Sequence, residues 1–178
     1  MIPAVFLFTL GVIAFSESCH HFKDIERHRP INHGYALAFR LGIGSVMFAV
    51  MSVTHWLLAE DYRFLLLAPM GWAWWTSIFR FTLNKLREKD WRYLGKDAGY
   101  DCFWLYKTFT GPDRVILIAS MLEIYYCDKP TFTIYLNTKD LVVCVDEYRA
   151  KVHRAGTLAY VFEALVFAAS IAAYFLLA

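Results

Sequence analysis

Leu41-Gly42-Ile43-Gly44-Ser45-Val46-Met47-Phe48-Ala49-Val50-Met51-Ser52-Val53-Thr54-His55-Trp56-Leu57-Leu58 is an apolar run whose one ionisable group is His55. At about 1.5 Å of rise per residue such a run nearly matches the roughly 30 Å hydrocarbon core of a bilayer, and residues 35–40 extend it. It reads as a transmembrane helix. Gly42, Gly44 and Ser45 supply the small surface that membrane helices use for close packing.

Three further runs flank it. Ile2 to Ser16 is too short to span alone and flows into Glu17-Ser18-Cys19-His20-His21-Phe22-Lys23-Asp24-Ile25-Glu26-Arg27-His28, so a complete span carries Glu17, His20 and His21 near or inside the membrane. No Lys or Arg precedes this run and Glu17 sits where a cleavage site needs a small or apolar residue, so an uncleaved anchor is expected. Glu60-Asp61-Tyr62-Arg63 is a tight connection to Phe64–Leu83, which holds Trp72, Trp74, Trp75 and a possible kink at Pro69. Ala155–Ala178 forms the last run, interrupted by Glu163.

Composition agrees with a bilayer as part of the solvent. The 178 residues are 58% hydrophobic and 18% aromatic, more apolar than ordinary soluble domains. The net charge of +2 gives no sign of nucleic-acid binding. Cys19, Cys102, Cys127 and Cys144 contain no C-x-x-C pair and read as reduced packing residues.

The expected fold is an all-α integral membrane protein with four transmembrane helices, at about 2–22, 35–58, 64–83 and 155–178, and a polar loop at 23–34. Residues 84–154 form a small cytoplasmic or interfacial cap between helices three and four. Within it, 114–126 follows Pro112-Asp113 as an amphipathic helix too short to span. Residues 131–146 read as a β-hairpin, with alternation from Thr131, turn chemistry at Asn137-Thr138-Lys139-Asp140 and a β-branched second strand.

Charge orients these helices. Lys23, Arg27 and Arg29 lie in the first loop, Arg63 alone in the second, and Lys85, Arg87, Lys89, Arg92, Lys96, Lys151 and Arg154 in the third. Because Lys and Arg gather on the cytoplasmic side, loops one and three are expected there and both termini outside.

On a helix the offsets 3, 4, 7 and 11 recur on one face, so Glu17, His20, His21, Asp24 and His28 share a stripe. With His33 they are candidate ligands for zinc, iron or manganese, or a proton relay. The same stripe is also what an amphipathic helix end shows to water and headgroups. His55 and Glu163 are intramembrane ionisable groups: His55 beside Trp56 fits an interface anchor, whereas Glu163 needs a partner, for which Arg40 and Arg80 are the candidates. Trp91, Arg92, Tyr93 and Lys96 have the chemistry of a lipid interface.

His28-Arg29-Pro30-Ile31-Asn32-His33 resembles the H-R-x-x-x-H element of bacterial membrane-bound metal-dependent hydrolases, which implies a metal site at its histidines. The stretch Phe79 to Lys96, closing on Tyr93-Leu94-Gly95-Lys96, together with the acids and histidines of Glu17 to His28, resembles small uncharacterised multi-pass proteins of bacteria and their phages. That resemblance implies a fold rather than an activity.

Three functions follow as expectations. The first is a non-catalytic subunit or organiser of a larger bacterial or phage membrane assembly, with the lipid bilayer and other subunits or its own copies as partners. The second is a metal-dependent membrane enzyme or ion-handling protein using the stripe of helix one. The third is a holin-like pore.

Overall fold

The computed structural model describes residues 2–27, 33–59, 62–96, 98–137 and 139–177. It is 77% helical with a two-stranded antiparallel sheet. The chain divides into two compact units, residues 1–91 with 161–178, and residues 92–160.

The first unit contains α1 (Ile2–Glu26), α2 (His33–Ala59), a 3-10 turn (Tyr62–Leu66), α3 (Leu67–Leu86) and the C-terminal part of α7 (Val145–Leu176). Among the described residues three helices are long and apolar enough to cross a membrane: Pro3–Glu26, Ala38–Leu58 and Val145–Leu176. Helix α3 has the length but carries Arg80, Asn84 and Lys85.

The core of this unit is Phe6, Leu10 and Ala14 of α1 against Leu67, Met70 and Trp75 of α3, with Tyr174 of α7. Close approach of α1 and α3 depends on Gly71, where a Cβ would fall 2.7 Å from Phe6 Cε1 and 2.8 Å from Leu10 Cδ1. At Gly11 a Cβ would come 3.2 Å from the Trp74 indole nitrogen, a tight rather than an excluded fit, and that indole donates to the Leu7 carbonyl at 2.9 Å. Trp74 also stacks on Phe167, with ring centroids 5.4 Å apart.

Pro69 is the third residue of α3, in the first turn, where proline is better tolerated than in a helix interior. The other end of α3 closes with Lys89 N–H on the Asn84 carbonyl and Glu88 N–H on the Lys85 carbonyl. Glu88 takes a left-handed φ of 54°, the backbone conformation that ends a helix in this motif.

The second unit contains α4 (Gly99–Thr108), α5 (Arg114–Ala119), α6 (Met121–Tyr125), β1 (Thr131–Tyr135), β2 (Asp140–Cys144) and the start of α7. Its core gathers Leu94, Leu105, Phe109, Met121, Ile124, Val145, Tyr148 and Val152. The strands pair antiparallel from Thr131 opposite Cys144 to Tyr135 opposite Asp140. Gly156 sits directly against the backbone of Arg92, a place no side chain fits.

Several boundaries differ from the sequence reading. The single helix expected over 114–126 is two short ones, because Ser120 adopts φ −85° and ψ 14°, outside the helical basin. The hairpin ends at Cys144 rather than 146, since Asp146 and Glu147 occupy the first turn of α7, where carboxylates favour the positive helix end. Helix α7 therefore starts at 145, not 155. Helix α4 is an element the sequence reading did not contain, and α1 runs to Glu26 instead of ending at 22.

Candidate functional site

The polar stripe of α1 divides as the helix packs. Glu17 and His21 turn inward, at 7% and 9% exposure, while His20 stays at the surface within 3.6 Å of Asp24. Ser18, fully buried one residue beyond Glu17, brings its hydroxyl to 2.7 Å from the Ala14 carbonyl and 3.1 Å from the Phe79 carbonyl. That contact sets the height of α1 against α3.

Three helices then converge on one carboxylate. Arg40 of α2 donates through Nε to Glu17 Oε1 at 2.7 Å, and Trp75 of α3 donates through its indole to Oε2 at 3.2 Å. The guanidinium lies 4.3 Å over the ring of Phe79, and His21 meets that ring edge-on with centroids 5.3 Å apart. His21 Nε2 is 3.7 Å from Glu17 Oε1. A buried carboxylate is costly unless paired and hydrogen-bonded, and Glu17 has both kinds of partner.

Beside this cluster a cleft of ≈ 530 Å³ opens between α1 and α2. Val12, Ile13, Phe39 and Ile43 give it apolar walls, and Ser16, Glu17, His20 and His21 give it polar ones.

A second buried ion pair joins α3 to α7. Arg80 donates through Nη2 to Glu163 Oε1 at 2.8 Å, and the Ser77 hydroxyl donates to Oε2 at 2.6 Å. Glu163 is 1% exposed. Of the two arginines considered for Glu163, Arg80 holds it and Arg40 is engaged by Glu17. His55 is also buried, with Nε2 2.8 Å from the Tyr174 hydroxyl, so it is a packed residue between α2 and α7 rather than an exposed anchor.

Among the described residues no three His, Cys, Asp or Glu side chains gather as a metal-holding group. His28 lies outside the described residues, and His33 is described only as the first residue of α2. The four interface candidates separate. Trp91 is exposed and its carbonyl accepts from the Asn84 amide, whereas Tyr93 is 3% exposed and packs edge-on against Tyr125 in the second unit's core. Lys96 donates to the Ala119 carbonyl at 3.2 Å, and the Arg92 backbone receives Gly156.

Trp75 and Phe79 are the members of the Glu17 cluster that sequence reading missed. Their only signal was membership of an aromatic run, which does not distinguish a hydrogen-bonding indole from a lipid-facing one. Near the α3 end, burial and then the neighbouring Arg87 charge lower the Lys89 amine to about 8.

No protein-family model, curated protein or solved structure matches the chain.

Proposed function

We propose that the chain is a four-span membrane protein acting as a non-catalytic subunit or organiser of a larger membrane assembly. The observation that carries this reading is the outer face of α2. Val46, Val50, Val53 and Leu57, at the spacing of one helical face, are all exposed, an apolar surface that the described residues leave uncovered. A surface of that kind is covered by lipid or by other membrane helices.

Helix α3 joins the spanning set in this reading despite its charge. At about 1.5 Å per residue its 20 residues reach roughly 30 Å, and Arg80 meets the Glu163 carboxylate inside the helix cluster rather than facing lipid. With four spans, the basic residues of loops one and three fall on the cytoplasmic side and both termini outside. The buried ionisable groups support a structural role, since Glu17 is engaged by Arg40 and Trp75, and Glu163 by Arg80 and Ser77.

The test is purification from native membranes in a mild detergent, followed by mass measurement of the intact particle. A particle larger than one chain plus its detergent is expected. A lone monomer retaining no other chain overturns the reading. Topology is read separately from the exposed Cys144, which an impermeant maleimide should reach only after the membrane is permeabilised.

A further inference from the structure

The cleft between α1 and α2 is graded in polarity along its length. The two helices pack together with Glu17 opposite Arg40, and they follow one another in the chain as neighbours of opposite direction. Val12 and Ile13 therefore lie toward the Ile43 end, and His20 and His21 toward the Ala36 end. One end has apolar walls. The other presents the Ser16 hydroxyl and two imidazoles beside a carboxylate already neutralised by Arg40.

We propose that this cleft holds one acyl chain of a glycerophospholipid, with its ester and phosphate oxygens at the Ser16, His20 and His21 end. The proposal rests on the membrane reading above. Three observations select this occupant. The lining spans eight residues of α2, Ala36 to Ile43, or about 12 Å of helix, the upper part of a chain in one leaflet. The volume of ≈ 530 Å³ is that of a site for one small ligand.

The third observation is the chemistry of the polar end. Ester and phosphate oxygens accept hydrogen bonds, and the exposed Ser16 hydroxyl and the exposed His20 imidazole can donate them. Glu17, the one acid in the lining, is paired with Arg40, which offsets its repulsion of a phosphate. The polar end also continues into the turn bearing Lys23 and Arg27, both exposed, as expected where a helix leaves the hydrocarbon for the headgroup layer.

The experiment uses the full chain in nanodiscs of phosphatidylglycerol or phosphatidylcholine whose acyl chain carries a photoactivatable diazirine, with labelled residues mapped by mass spectrometry. Bilayer lipid labels the outer face of α7 at Val161, Leu165 and Ala172, which are exposed and lie on a helix that does not line the cleft. The cleft walls at 12–21 and 36–43 should carry roughly ten-fold more label after a delipidating wash, the ratio that about 1.4 kcal/mol of preference gives. Val12→Trp and Ile43→Trp, each filling the apolar end from a different helix, should each abolish the excess and leave the outer-face label unchanged.

Outer-face label with no excess in the cleft, or an excess that survives both variants, overturns the lipid site while the membrane reading stands. No label on either surface overturns the membrane reading as well. Equal cleft labelling by a free fatty acid with the same diazirine chain also overturns the proposal, because the ester and phosphate would then contribute nothing.

Discussion

Arg80 and Glu163 meet at 2.8 Å with both side chains buried, one on α3 and one on α7. Each makes the other tolerable away from water, and Ser77 takes the second carboxylate oxygen. The pair is thus a dependency between two helices rather than a bonus to either.

Removing one partner strands the other. Arg80→Met or Glu163→Leu alone should each lower stability by about 3–5 kcal/mol, whereas the two combined should recover most of that loss. Thermal unfolding of the four proteins in one detergent measures the coupling. Additive losses in the double variant would show that the two side chains do not act as a pair.

Gly71 and Gly42 make a matched contrast. A methyl at Gly71 runs into Phe6 and Leu10, so Gly71→Ala should cost about 1–3 kcal/mol, while Gly42 has nothing within 4 Å and Gly42→Ala should change stability by no more than about 1 kcal/mol. Phe6→Leu should relieve part of the Gly71→Ala loss. The same unfolding measurement checks all three.

Lys89 predicts a pH dependence of definite sign. Its folded amine titrates at about 8 and an unperturbed lysine at 10.5, so between those values the unfolded chain binds more protons than the folded one. Stability should therefore rise with pH across that window, the penalty for burying the charge being complete below about pH 8. Lys89→Met should flatten the rise. An acylating reagent at pH 8.5 should also modify Lys89 ahead of the exposed lysines, as read by peptide mapping.

Arg149 tests the second unit. Its Nε donates to the Tyr125 carbonyl at 2.8 Å and its Nη2 to the Cys127 carbonyl at 2.9 Å, a fork that closes the end of α6. Lysine has no such fork, so Arg149→Lys should cost about 1–2 kcal/mol despite keeping the charge. Faster amide exchange at Tyr126 and Cys127 would accompany the loss.

The parts legible in the sequence are those set by local chemistry. The hairpin could be read because a turn-forming stretch from Asn137 separates an alternating strand from a β-branched one. Long apolar runs marked α1, α2 and the C-terminal part of α7 for the same reason. The start of α7 was hidden because residues 145–154 are polar, and hydropathy does not separate a polar helix from a polar loop. Asp146 and Glu147 were the available sign.

The Glu17 cluster was half legible. Helical periodicity put Glu17 and His21 on one face, but Arg40 was nominated, with Arg80, as a partner of Glu163 and meets Glu17 instead. Which arginine meets which acid depends on how three helices are stacked, and no spacing within one helix encodes that. Trp75 reaches Glu17 across the same α1–α3 packing in which Gly71 receives Phe6 and Leu10.

Those glycine contacts have a mechanical consequence. Gly71 receives Phe6 and Leu10, Gly11 receives Trp74, and Ser18 reaches the Phe79 carbonyl, so α1 and α3 are keyed at three heights. Sliding one past the other by a turn, about 5.4 Å, would drive side chains into positions with no room for them. The pair behaves as a rigid strut, able to tilt as a unit but not to work as a piston.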